Sequence, residues 1–113
     1  MPDKLRTQLV DNLLSVLATM DSPDEVYDFL LDLCTVREIA EMSQRLEVAR
    51  LLADGQSYVY VQDVTGASAT TISRVSKCLN YGSGGYGRAL AIIGDSGRDE
   101  RDAGSVPSSP TEE

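Results

Sequence analysis

Thr70, Ser73, Arg74 and Lys77 are the side chains whose types and spacing best suit a chemical task, the reading of a nucleic acid. On a helix turning about 100° per residue, all four fall within a single arc of about 100°. Hydroxyls and cations donate to phosphate oxygens and base edges, and an arginine can grip guanine through two parallel hydrogen bonds. The opposite arc holds Ile72, Val75 and Leu79, a compact apolar stripe suited to burial. Ser68 supplies an N-cap hydroxyl, and Ala69 and Thr70 are small enough for close approach to DNA. The spacing predicts a helix over 69–80, with Ser68, Ala69, Thr70, Thr71, Ser73, Arg74 and Lys77 as DNA-contacting residues.

Other chemistries find little support. The chain has no histidine, which removes the commonest general base and metal ligand. GxSxG, P-loop and paired-cysteine patterns are absent, and no nucleophile and base converge in sequence. No catalytic or metal-ligating set is therefore expected. Cys34 and Cys78 lack metal-ligand spacing and read as small core or interface residues in a reducing compartment. No apolar run is long enough to span a membrane, and the N-terminus lacks the apolar stretch of a secretory signal. These features predict a cytoplasmic protein, associated with the nucleoid when bound to DNA.

The net charge of −8 opposes DNA binding, but its distribution does not. Residues 1–44 are net −6 and residues 89–113 net −4, whereas residues 45–88 are net +2 through Arg45, Arg50, Arg74, Lys77 and Arg88. Phosphate attraction follows local charge more closely than the sum over the chain.

The elements that must position this face read as helices. Leu5, Leu9, Leu13, Leu17 and Met20 recur on one side of residues 4–20, with Asp3 as N-cap. Ser22-Pro23-Asp24-Glu25 combines a cap hydroxyl, a first-turn proline and a glutamate at N3, and starts a helix over 23–33. Thr35 and Glu38 repeat that spacing and start a helix running to Ala53, with Gly55 in its C-terminal cap region. Apolar residues surround most of this third helix, so it needs cover on more than one side, and a second subunit is the simplest source. Residues 58–65, YVYVQDVT, alternate as a strand would. Ser57 as cap, the Val61–Val64 spacing and the turn at Gly66 favour a helix, because no neighbouring strand could pair with it. Two helices around a glycine turn form a helix-turn-helix, the second entering the DNA major groove. GSGG at 82–85 is a loop and 86–93 a short last helix. From Gly94 the chain is acidic with Val106 as its only sizeable apolar residue, which predicts a disordered tail over 94–113 after a domain at 1–93.

Two stretches, LCTVREIAEMSQRLEVARLLADG at 33–55 and TGASATTISRVSKCLNYG at 65–82, resemble the Trp repressor superfamily. The match is nearer to its Trp-repressor-related branch of bacterial proteins, the YerC/YecD type, and broader similarity covers about 3–93. The resemblance implies an all-α, Trp-repressor-like intertwined homodimer whose two recognition helices read a two-fold-related site on double-stranded DNA. It also implies a corepressor pocket for tryptophan, with Arg45 and Arg74 flanking the indole and Thr71 beside them. This chain departs from that pattern: Val75 replaces a glycine and Cys78 a serine, so tryptophan is not expected as its cofactor. The leading expectation is a DNA-binding regulator, a repressor by resemblance. The alternative is a protein-interaction module in which the helix-turn-helix is architectural.

Overall fold

The computed structural model describes the backbone of residues 4–104 and the side chains of residues 4–94. Among these, all regular structure is helical: α1 (Gln8–Ala18), α2 (Pro23–Leu33), α3 (Val36–Ala53), α4 (Tyr58–Thr65), α5 (Ala69–Tyr81) and α6 (Gly85–Gly104).

The chain divides into two units, with the boundary after Ala40, inside α3. In the first unit, local capping chemistry decides where helices begin. α1 starts at Gln8, four residues later than the apolar spacing suggests, because Thr7 takes the cap position and its hydroxyl accepts from the Val10 N–H at 3.4 Å. Leu5 therefore lies before the helix, and Asp3 lies outside the described residues. Ser22 caps α2 as expected, its hydroxyl accepting from the Glu25 N–H at 3.2 Å. The Glu25 carboxylate accepts from the Asp21 N–H, one residue earlier than the standard reciprocal box. At α3 the reciprocal box closes fully: the Glu38 N–H donates to the Thr35 hydroxyl at 3.0 Å, and the Thr35 N–H to the Glu38 carboxylate at 2.7 Å.

Neither α1 nor α2 buries a residue. Leu9 is 78% exposed and Val36 77%, and Tyr27, Leu31 and Leu33 are also exposed. Cys34 is not within a helix; it is the half-buried C-cap of α2.

The second unit holds the core. Val48, Ala49 and Leu51 of α3 meet Val61 of α4, Ala67 of the following turn, and Ile72 and Val75 of α5. Leu52, Tyr86 and Leu90 pack against this cluster. Fully burying a valine or isoleucine contributes about 1.5–3 kcal/mol, so these few side chains carry the helix-turn-helix. Residues 58–65 are helical, as the absence of a pairing strand predicts, with the Ser57 hydroxyl accepting from the Tyr60 N–H at 3.1 Å.

α6 continues to Gly104, well past the expected end at 93. The scarcity of apolar residues after Gly94 carries no information about backbone helicity, which local hydrogen bonds can maintain. Residues 105–113 of the expected tail lie outside the described residues.

Candidate nucleic-acid interface

α4 and α5 are joined by a tight turn held by several hydrogen bonds. Gly66 sits in the left-handed region at φ 75°, and its N–H donates to the Gln62 carbonyl at 2.9 Å. That conformation strongly favours glycine. The Thr65 hydroxyl donates to the Val61 carbonyl at 2.7 Å and accepts from the Ala67 N–H at 3.1 Å. The Thr65 carbonyl accepts from the Gln44 side-chain amide at 3.0 Å, which ties the turn to α3. Ala67 is 2% exposed and plugs the space beneath the turn.

The turn sets the start of α5. Ser68 is its N-cap, accepting from the Thr71 N–H at 3.1 Å and donating to the Thr71 hydroxyl at 3.1 Å. Ile72 is 1% and Val75 2% exposed, so one face of α5 is anchored in the core. Thr70, Ser73, Arg74 and Lys77 are all exposed, on the face opposite these anchors. Ser68 and Ala69 are also exposed, at the helix start. Among the described residues, neither Arg74 nor Lys77 is held in an ion pair or hydrogen bond. Arg50, by contrast, is engaged by Glu47 through two hydrogen bonds at 2.9 and 2.7 Å. Its pKa lies above the ordinary arginine value because of that bond.

Thr71 differs from the other candidates in being half-buried. It is bonded to Ser68 and, with Arg74, lines a cleft. The cleft, of about 230 Å³, is lined by Arg45, Thr71, Arg74, Val75, Cys78 and Tyr86. The structure thus brings Arg45, Thr71 and Arg74 together, as the resemblance implies. It also adds Tyr86, which sequence reasoning missed. The sequence signal for it is the GSGG loop at 82–85, after which α6 packs against α5. Gly82 makes that connection possible, because a Cβ there would collide with the Cys78 carbonyl. Cys78 is exposed in the cleft wall instead of lying in the core. A wider, mainly apolar trough of about 510 Å³ adjoins the cleft, with Met42 and Leu46 of α3 facing Tyr86 and Ala89 of α6.

A second missed signal lies in the charge pattern. No aspartate or glutamate occurs between Asp63 and Asp95, although the whole chain carries 18. The exposed face of α5 is therefore free of carboxylates on its own helix and on both flanking turns. No group of His, Cys, Asp and Glu is placed to hold a metal among the described residues, and none of their helices is long and apolar enough to cross a membrane.

Comparison with known proteins agrees with this geometry. The Trp repressor protein family matches residues 8–92. A protein of Bacillus subtilis strain 168, the uncharacterized YerC, is 48% identical over 88 residues, which cover 78% of this chain and 85% of that protein. Two crystal structures superpose with TM-scores of 0.76: a Trp repressor candidate from Staphylococcus aureus and a TrpR-like protein from Eubacterium eligens ATCC 27750. The first is 40% identical and covers 80% of this chain and 91% of that one; the second is 45% identical and covers 80% and 94%. With its all-α fold, its capped helix-turn-helix and these relatives, the chain belongs to the Trp repressor family, in the YerC-type branch.

Proposed function

We propose that this protein is a sequence-specific, homodimeric DNA-binding transcription repressor, acting in the cytoplasm on the nucleoid. The observation that carries this reading is the exposed face of α5. Ser73, Arg74 and Lys77 are exposed on a helix whose other side is fixed by Ile72 and Val75, in a segment without carboxylates. A rigid helix with free cations is what major-groove entry requires. Membership of a regulator family supports the same reading.

The homodimer is supported by unsatisfied apolar surface. Leu9, Leu31, Leu33 and Val36 are exposed in the first unit, and the trough beside Met42 and Leu46 is open in the second. Burial against a second copy removes this surface from water at about 25 cal/mol per Å². A dimer also supplies the two-fold symmetry that matches a palindromic operator.

Tryptophan is not proposed as a corepressor. Val75 stands where the resemblance places a glycine, and it lines the cleft with Cys78 and Tyr86. Arg45 and Arg74 both line the cleft, and a valine in place of the family's glycine is the reason a planar ring is not proposed there. In this reading Arg45 has a structural role, and Arg74 turns to DNA.

The direct test is selection of duplexes from a randomised library by the full-length protein, with and without tryptophan. One enriched palindromic sequence, bound with affinity that falls steeply as salt rises, is the expected result. No binding even at low salt would favour the alternative, a protein-interaction module whose acidic first unit meets a basic partner.

A further inference from the structure

The cations of α5 and the carboxylates of this chain are kept apart along the sequence. No acidic residue occurs between Asp63 and Asp95, and the exposed Arg74 and Lys77 pair with no carboxylate among the described residues. After that gap the acids return together: Asp95, Asp99, Glu100, Asp102, Glu112 and Glu113 stand against only Arg98 and Arg101. The family match ends at residue 92, so the family does not account for this acidic segment. Arg74 and Lys77, three residues apart on a helix, are neighbours on one face. Glu112 and Glu113 form a pair of equal and opposite charge. That pair is within reach of α5. Leu90 of α6 packs against the cluster that anchors α5, and α6 ends at Gly104, about 21 Å further along at 1.5 Å per residue. Ser105 through Glu113 can span about 30 Å at full extension. The segment is long enough to return from the end of α6 to the level of Leu90.

Resting on the DNA-binding reading above, we propose that residues 105–113 are a built-in competitor of DNA, docking Glu112 and Glu113 on Arg74 and Lys77 at the exposed face of α5. DNA phosphates must displace these carboxylates before they meet the same cations. The apparent affinity for every duplex then falls by the fraction of molecules in which the face is open. Weak, non-specific sites empty first, while a tight operator stays filled. Each ion pair is exposed and weak by itself. The tether offsets that weakness, because a short linker holds the two partners at an effective concentration in the millimolar range. Competition of this kind fades as salt rises, since exposed pairs are screened over about 8–10 Å.

The experiment compares the full-length wild type with two variants, Glu112→Gln with Glu113→Gln, and Asp99→Asn with Glu100→Gln. Both variants lose the same charge, but only the first removes the proposed contact. Binding to a random-sequence duplex is titrated at low and high salt, about 50 and 300 mM, and amide NMR spectra are recorded without DNA. At low salt the first variant should bind DNA roughly threefold tighter per α5 face, or about tenfold for a dimer that uses two. The second variant should gain less, and both gains should fade at high salt. Amide signals around Arg74 and Lys77 should move in the first variant alone. Equal gains in the two variants, with the α5 signals unmoved, would reveal long-range repulsion only and overturn the docked segment. No gain in either variant, or shifts confined to other helices, overturns it too. Absence of DNA binding by all three proteins at low salt overturns the DNA-binding reading, whereas the α5 signals report docking independently of DNA.

Discussion

The side-chain amide of Gln44 donates to the backbone carbonyl of Thr65 at 3.0 Å, across 21 residues of sequence. It ties the middle of α3 to the last residue of α4, just where the chain turns towards α5. The C-terminal carbonyls of a helix have no partner within it, so this amide satisfies one that would otherwise be left half-buried. Gln44→Ala should destabilise the fold by about 1–2 kcal/mol, the cost of stranding such a group. Urea denaturation followed by circular dichroism measures it, and an unchanged midpoint would show that water serves the carbonyl equally well.

Gly66 tests the turn itself. Its φ of 75° lies in the left-handed region, and a Cβ built there meets nothing within 4 Å. Backbone strain is therefore the whole expected cost of Gly66→Ala, about 1–2 kcal/mol. Gly66→Asn should cost less, since asparagine tolerates this conformation. Equal melting temperatures for the two variants would refute a strain origin.

Arg74→Ala combined with Lys77→Ala should abolish operator binding, with a loss of roughly a hundredfold or more. Both side chains are exposed, so dimerisation and melting temperature should be unchanged. The slope of log affinity against log salt should become shallower by about 2–4 per dimer, depending on how many of the cations meet phosphate. Gel-shift titrations at several salt concentrations give both quantities.

Val75 joins the cleft to the core. Val75→Ala removes methyl groups from a site only 2% exposed and should cost about 2 kcal/mol through lost burial and a residual cavity. Tryptophan at millimolar concentration should leave the melting temperature of the wild type unchanged. A clear upward shift would mean that the cleft between Arg45 and Arg74 accepts the ring despite the valine.

Leu9 is 78% exposed on α1, on the same side as Leu13 and Leu17. If a second copy covers that stripe, Leu9→Asp should raise the dimer dissociation constant by at least about tenfold, given the 1.5–3 kcal/mol of a buried leucine. Sedimentation velocity across a dilution series reads this directly. An unaltered dimer would place the interface elsewhere.

Much of this molecule was legible in its sequence because its helices are marked by local chemistry. Ser22, Thr35, Ser57 and Ser68 were all identifiable as caps, and each accepts the N–H three residues on. The cap at Thr7 was missed because the apolar repeat of Leu5 and Leu9 continues through it, and periodicity does not report where hydrogen bonding begins. The exposed face of α5 followed from a wheel, since Ile72 and Val75 could only point inward together. Thr71, expected both at the DNA face and in the pocket, is half-buried, bonded to Ser68 and part of the cleft wall together with Arg74.

The sequence by itself determined α2 to α5, the glycine turn and the carboxylate-free segment around α5, because capping, periodicity and charge are properties of neighbours along the chain. Only the tertiary structure decided that Gln44 clasps the turn, that Tyr86 closes over α5 and that Cys78 faces a cleft instead of the core. Those relationships join residues far apart in sequence. They depend on how Val48, Val61 and Ile72 pack into one cluster, and packing geometry has no local signature to read.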